Sequence, residues 1–236
     1  MSEARLFIPR YRPIASGDWS IRLLGAGVMQ GYWSDPQLVR DVPILLRGAE
    51  SWMSLTPLEI ESEEIGIFAA QGHVLIYGLG MGWAMTAVAA RPEVTSVTVV
   101  ERDGEILALH DELDLPAQLD EAARGKIRIV QGDAFDYRPE APVDLLFPDI
   151  WLPLVGDDRF GEVRRMQANV GARSVYFWGQ EMELARHARA GGHDLHTAGI
   201  AAAAEASGLP LIGLGQPDYA GKVASAAARW MRGRWL

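Results

Sequence analysis

The stretch from Val74 to Glu101 constrains the fold of this chain more than any other. An apolar run, VLIY, leads into a loop with glycine at positions 78, 80 and 82. A helical run follows, and a second β-branched run, VTSVTVV, ends at the acidic residue Glu101. In open α/β sheets, nucleotide-type ligands bind at such strand–glycine turn–helix–strand units, in the crevice at the carboxyl ends of the strands. The stretch therefore predicts a parallel sheet with a ligand crevice at that edge.

The glycine spacing narrows the class of nucleotide. Gly78 and Gly80 can adopt positive φ and place no Cβ in the path of a ligand, and Gly82 opens a helix whose N-terminus offers unpaired N–H groups. Glu101 can accept two hydrogen bonds from a ribose diol. Trp83 stands where the NAD fingerprint has its third glycine, and the Lys–Ser/Thr pair of a Walker loop is missing. Alternating glycines instead favour a loop for S-adenosylmethionine (SAM).

Four motifs in order carry a resemblance to a known family: VLIYGLGMG, VVERD, GDAFDY and DLLFPDIW. Together they resemble the class I SAM-dependent methyltransferases, and within them the branch that includes the spermidine synthases. The similarity runs from about residue 52 to residue 178. It implies a doubly wound, mostly parallel, Rossmann-like α/β sheet that binds SAM over residues 51–236. A small β-rich extension is expected over residues 1–50, where short strands or hairpins are predicted.

The resemblance also implies which residues hold the cofactor. Glu101 is the expected ribose ligand, Asp133 is expected to contact the adenine amino group, and Ala134 is expected to contact the adenine ring. The full set of predicted cofactor-binding residues is Gly78, Gly80, Gly82, Glu101, Arg102, Asp133 and Ala134. A structural interpretation stays open for each motif, because glycine turns also join strands to helices without a ligand and Asp133 can be a turn residue.

The segment after the predicted fourth strand supplies the candidate chemistry. Asp149 is the predicted general base, since a carboxylate directly after that strand would face the crevice. Phe147 and Trp151 are predicted to frame a substrate pocket. The alternative is that Asp149 caps a short turn while Trp151 packs in the core, and the sequence favours the two equally.

Three functions compete. The first is a SAM-dependent methyltransferase acting on an unidentified, small-molecule acceptor. The second is a SAM-fold protein that binds the cofactor or its product but has lost catalysis, with RWMRGRWL at the end of the chain as a homodimer contact or as a helix packed on its own domain. The third, an aminopropyltransferase, is least favoured, because Met81 and Leu152 replace acids that the spermidine synthases carry.

Composition excludes several classes. With 236 residues and a formal net charge of -9, the chain is not expected to bind nucleic acid. Absence of cysteine excludes disulfides and thiolate chemistry. No apolar run suits a signal peptide or a membrane span, so a cytoplasmic protein is expected. His187, His193 and His196 are interpreted as surface histidines, and no metal site is predicted.

Local signals also predict individual elements. Thr56 and Glu59 form a predicted capping box at the start of a helix that ends near Ala70. A fifth parallel strand is predicted over 174–178. One candidate strand, at 209–214, has no identifiable partner, so the edge of the sheet stays open.

Overall fold

The computed structural model describes residues 6–236. Its N-terminal region contains six short strands. Four of them form an antiparallel sheet in the order β1-β2-β5-β6, and the other two, β3 and β4, pair as a separate antiparallel ladder. The strands are β1 (Ile14–Ser16), β2 (Trp19–Leu24), β3 (Gly27–Met29), β4 (Gln37–Val39), β5 (Val42–Arg47) and β6 (Glu50–Ser54).

A five-stranded sheet follows, and all of its neighbouring strands are parallel. Its order is β11-β10-β7-β8-β9, so the strand order reverses between β7 and β10. In open α/β sheets, ligands bind outside the carboxyl ends of the strands at such a reversal. The predicted α/β fold with a parallel sheet is confirmed. The strands are β7 (Gly72–Tyr77), β8 (Val94–Glu101), β9 (Ile127–Gln131), β10 (Leu145–Pro148) and β11 (Ser174–Val175).

Helices connect these strands and follow them. The side chains of Val74, Leu75 and Ile76 in β7 are buried, which places the main core around the centre of this sheet. Near the C-terminus, α6 packs against both α7 and α8. The helices are α1 (Pro57–Ala69), α2 (Trp83–Ala89), α3 (Gly104–Leu113), α4 (Glu121–Arg124), α5 (Arg159–Val170), α6 (Gln180–Ala190), α7 (Thr197–Ser207) and α8 (Tyr219–Trp230), with a 3-10 turn at Leu115–Gln118.

The start of α1 differs from the prediction. Thr56 precedes the helix, but its side chain makes no capping hydrogen bond; its Oγ1 accepts from Ser54 Oγ at 3.2 Å. Glu59 does not reach back to Thr56, because its side chain is buried in the interior beside Asp149. The capping-box prediction is therefore wrong, although the helix begins where it was expected.

The edge of the parallel sheet is also simpler than expected. β11 ends at Val175, although the N–H groups of Tyr176 and Trp178 still donate to carbonyls of β10. Beyond β11, Leu211 forms a single parallel bridge with Val175, and within residues 6–236 no strand is present over 209–214. Two backbone hydrogen bonds join this segment to β11. The N–H of Val175 donates to the carbonyl of Pro210, and the N–H of Ile212 donates to the carbonyl of Val175.

The three clustered histidines have ordinary structural positions. Nδ1 of His196 accepts from the N–H of Gly199 at the start of α7, and the ring of His187 packs on Phe160 at 4.6 Å. Across residues 6–236, no group of His, Asp and Glu side chains is arranged to hold a metal ion. No helix in the described part of the chain has the length and apolar character needed to cross a bilayer.

Candidate active site

A cavity of about 300 Å³ lies at the carboxyl ends of β7, β8 and β10. The antiparallel N-terminal sheet covers it, contributing Trp19, Arg47, Trp52 and Met53 to its wall. The remaining wall comes from the glycine loop after β7, the ends of β8 and β9, α1, and the segment after β10. The cavity therefore lies at the reversal in strand order, between the four-stranded antiparallel sheet and the five-stranded parallel sheet.

The glycine loop has the strained backbone that its sequence predicts. Gly78 has a φ of +93° and Gly80 a φ of +49°, in the region that favours glycine. A Cβ on Gly78 would collide with the carbonyl oxygen of Asp149, and one on Gly80 would collide with the sulfur of Met53. The N–H of Met81 donates to that sulfur at 3.0 Å. Both glycines thus allow close approach of other parts of this chain as well as of a ligand.

Glu101 links the glycine loop to the end of β8. Its Oε2 accepts from the N–H of Leu79 at 2.9 Å, and its Oε1 accepts from the N–H of Asp103 at 2.7 Å. A carboxylate oxygen has two lone pairs, so each oxygen keeps one further acceptor site. The two backbone donors fix the carboxylate at the cavity wall, where it can accept two more hydrogen bonds.

The segment after β9 forms the next part of the wall. Oδ1 of Asp133 accepts from the N–H of Phe135 at 2.8 Å, the geometry of an Asx turn. Arg102 lies 3.7 Å from Oδ2 of the same carboxylate and is largely exposed, so this ion pair contributes little stability. Ala134 is buried and also lines the cavity. All three predicted residues therefore reach the same cavity, although Asp133 has a structural role there too.

Two predicted site residues lie elsewhere. The side chain of Phe147 is fully buried and packs edge-on against Tyr176, with 5.3 Å between ring centres. It points into the core because strand residues alternate between the two faces of a sheet. Gly82 precedes α2, and a Cβ there would meet His110 and Leu115 rather than the cavity.

The segment after β10 places Asp149 and Trp151 at the cavity. Asp149 extends the sheet by donating its N–H to the carbonyl of Tyr77 at 2.8 Å, and it does not cap the next helix. The indole of Trp151 donates to Glu162 at 2.7 Å, and the guanidinium of Arg159 stacks on its ring at 3.9 Å. Both residues thus line the crevice, while Trp151 also packs against the core, so their roles in catalysis and substrate binding stay predictions.

Two acids on α1 join Asp149 and were missed by sequence reasoning. Glu59 and Glu63 are one helical turn apart, so they lie on the same face of the helix. Glu59 lines the cavity beside Asp149, whereas Glu63 lies behind them and is completely buried. The only sequence signal was the acidic run in an otherwise apolar helix, ESEE, which does not say which acids point inwards.

Burial dominates the proton affinity of this acidic cluster of Glu59, Glu63 and Asp149. Burial raises the pKa of Glu59 and of Glu63 well above the ordinary value, and the charge of Asp149 raises both further. Burial also raises the pKa of Asp149 to about 7, against the opposing effects of Arg159 and of a hydrogen bond with Glu63. At neutral pH the cluster therefore holds protons that ordinary carboxylates would have lost.

Arg159 is the nearest cation to this cluster. It is buried, and its guanidinium donates to the carbonyls of Trp178 at 3.2 Å and Pro153 at 2.8 Å. Burial lowers its pKa to about 10, although Glu183, Glu162 and Asp149 oppose the shift. Its hydrogen bonds thus go to backbone carbonyls, and it balances the acids only through space.

Comparisons with known proteins give distant matches alone. No protein-family model matches the chain, and no curated protein is similar to it in sequence. Among solved structures, it is similar to the 23S rRNA methyltransferase ErmE, with 16% identity over 50% of this chain and 44% of that one and a TM-score of 0.37. The methyltransferase domain of bacterial CtHen1 is a second match, with 15% identity over 50% of this chain and 65% of that one and a TM-score of 0.38.

The glycopeptide N-methyltransferase MtfA in complex with SAM is a further match, with 19% identity, 47% of this chain, 48% of that one and a TM-score of 0.37. The chain spans between 44% and 65% of the length of these three structures. With TM-scores no higher than 0.38, they assign neither a substrate nor an activity to this chain.

Proposed function

We propose that this protein binds SAM in the cavity and transfers its methyl group to a small acceptor. One observation carries the proposal: a single cavity joins the loop of Gly78 and Gly80, the carboxylate of Glu101, the Asp133 turn and Asp149. The volume of about 300 Å³ is at the lower end of the range for ligand pockets, roughly 300–1,000 Å³.

The order of the polar groups fits a nucleoside with an amino-acid end. The free acceptor sites of Glu101 suit a ribose diol. Ile106 and Ala134 offer apolar surface for a flat base, next to Asp133 as a polar contact for the base edge. The glycine loop would flank the amino-acid end. When bound, SAM supplies an activated methyl group on a sulfonium that is already a good leaving group.

The chain's own residues would then position the acceptor and handle its proton. Asp149 is the proposed general base, because its carboxyl reaches the cavity and its pKa of about 7 suits proton transfer near neutral pH. Ile150 and Trp151 would shield the reacting centre from water. Arg102 and the division into residues 1–50 and 51–236 stay part of the proposal, as do a cytoplasmic location and a homodimer.

Calorimetry with SAM, S-adenosylhomocysteine and decarboxylated SAM tests cofactor binding. We expect both SAM and S-adenosylhomocysteine to bind, and Glu101→Ala to weaken binding by about 1.5–3 kcal/mol, because charge-assisted hydrogen bonds to the ribose are lost. Glu140→Ala is the control, since Glu140 is an exposed acid whose one ion pair within residues 6–236 is with Arg128. Equal affinities of the two variants would remove Glu101 from the site, and no heat with any ligand would end the proposal.

A second arm separates an active enzyme from a protein that only binds. Asp149→Asn should keep its affinity for S-adenosylhomocysteine but lose methyl transfer, measured as S-adenosylhomocysteine release over a panel of small acceptors. Full transfer by this variant would rule out the general-base role. The carboxyls of Glu59 and Asp149 line the same cavity as the glycine loop and could repel the carboxylate of SAM. If the wild type prefers decarboxylated SAM for this reason, aminopropyl transfer is favoured over methyl transfer.

A further inference from the structure

The acidic cluster contains a carboxyl group for which the surroundings provide no hydrogen-bond donor. Glu63 is completely buried, and no group in residues 6–236 donates a hydrogen bond to either of its carboxyl oxygens. It faces Asp149, to which it can bond only if the pair holds a proton, and Glu59 lies one turn away. A buried carboxyl without a donor destabilises a protein, so such a group calls for a functional reason.

Neighbouring groups do not neutralise the cluster. The hydroxyl of Tyr11, which lies close to Glu63, donates to the carbonyl of Met81 at 3.1 Å instead. Arg159 directs its hydrogen bonds to two backbone carbonyls. Within residues 6–236, the charge of Arg159 acts on Asp149, and no cation acts on Glu59 or Glu63. Two of the three acids, Glu59 and Asp149, line the cavity.

We propose that Glu59 and Asp149, backed by the unpartnered Glu63, bind the ammonium group of an amine acceptor at this end of the cavity. An ammonium has three donors and one positive charge, which matches the donors and the charge that the cluster lacks. The amine is a methyl acceptor only if the proposed function holds, and to that extent the inference rests on it. The binding of an amine to these acids does not depend on methyl transfer. These acids differ from the two positions, Met81 and Leu152, at which the resemblance implied acids.

Cation binding in this cluster should exchange with protons. Without a cation, the carboxyls reduce their repulsion by holding protons, and a bound ammonium takes over that role and releases them. Glu63 does not line the cavity, and it contributes from behind: when the pair holds a proton, Glu63 can share it with Asp149. Glu63 is thus a positioning residue that does not contact the amine. Its effect is measured as the number of protons released when the amine binds.

Calorimetry with matched amines and alcohols tests the inference: benzylamine against benzyl alcohol, and butylamine against 1-butanol. Titrations run with and without S-adenosylhomocysteine, in phosphate and in HEPES, which is not a primary amine; the different ionisation enthalpies of the two buffers report proton release. We expect at least one amine to bind tenfold or more tightly than its alcohol and to release protons. Glu59→Gln should weaken that amine at least fivefold without changing alcohol binding.

Two variants sharpen the result. Glu63→Gln should reduce the proton release, because an amide in place of the second acid leaves Asp149 charged before the amine arrives. Glu64→Gln is the control, since Glu64 is next in sequence but pairs with Lys222 outside the cavity, and it should behave as wild type. Equal binding of amines and alcohols, or unchanged amine affinity in Glu59→Gln, overturns the inference. If the wild-type protein binds the amine but not S-adenosylhomocysteine, only the proposed function is overturned.

Discussion

Glu181 and Glu63 are both completely buried carboxyls, but their surroundings are opposite. Glu181 lies within hydrogen-bond distance of three tyrosine hydroxyls, those of Tyr219 at 3.0 Å, Tyr176 at 3.2 Å and Tyr32 at 3.3 Å. Tyr176 shares its single hydrogen between Glu181 and the carbonyl of Ser62, which lies closer, at 2.8 Å. Glu63 has no donor in the described part of the chain and faces two further acids. One carboxyl is surrounded by partners and the other by like charges.

The difference separates a structural network from a candidate site. The tyrosines of the Glu181 network come from the N-terminal region, from the end of β11 and from α8, so their hydrogen bonds tie distant segments to α6. A satisfied polar network of this kind rigidifies a core. The acidic cluster instead destabilises the folded protein, because its buried carboxyls lie next to like charges. Destabilising groups of this kind occur mainly at functional sites. Unfolding measurements on variants of the two carboxyls test this difference.

The largest effect is expected for Glu181→Leu. The substitution removes the common acceptor of three buried hydroxyls, so the free energy of unfolding should fall by about 3–5 kcal/mol. Urea unfolding measures it, with Glu205→Leu on the exposed side of α7 as the control. A loss under about 1 kcal/mol would show that Glu181 is no more structural than an exposed acid.

The next effect is the pH dependence of wild-type stability. Asp149 and Glu181 have pKa values of about 7 in the folded protein, raised mainly by burial, so between pH 6 and pH 8 the folded state binds more protons than the unfolded state. Stability must then fall as pH rises through this window, by about 1–3 kcal/mol. His110, whose pKa is lowered by burial, acts in the opposite direction, but mainly below its ordinary value. Urea unfolding at both pH values would contradict this prediction if stability rose with pH.

A smaller effect, and of the opposite sign to Glu181→Leu, is expected for Glu63→Gln. The amide carries no charge and can donate to Asp149, so the free energy of unfolding at pH 8 should rise by about 1–2 kcal/mol. The gain should shrink at pH 6, where the carboxyl is more easily protonated. Glu64→Gln is the control, and urea unfolding that shows destabilisation at pH 8 would mean that Glu63 has a partner after all.

The smallest effect is expected for Tyr32→Phe. It removes one of three donors to Glu181 and leaves the ring in place, so stability should fall by about 0.5–1.5 kcal/mol. The same unfolding assay measures the change, and S-adenosylhomocysteine affinity should stay at the wild-type value, because Tyr32 lies outside the cavity wall. A change in affinity without a change in stability would place the Glu181 network in the site.

Sequence reasoning found the parts of the site that depend on local chemistry. Gly78 and Gly80 have the positive φ that their turn requires, and Glu101 ends β8 where the β-branched run ends. Its errors concern orientation. Phe147 was assigned to the pocket, yet it points into the core from a strand whose residues are buried on both sides. Glu59 was assigned to a cap, but it turns towards Asp149.

The alternation of strands and helices, the glycine loop and the acid at the end of the second parallel strand can all be predicted from the amino-acid sequence. These follow from periodicity and turn chemistry, which act between residues close together in the chain. Only the tertiary structure decided that α1 turns Glu59 and Glu63 towards Asp149 and that the N-terminal sheet covers the cavity. Four acids on one helix look alike in sequence, because which of them is buried depends on the surface against which the helix packs.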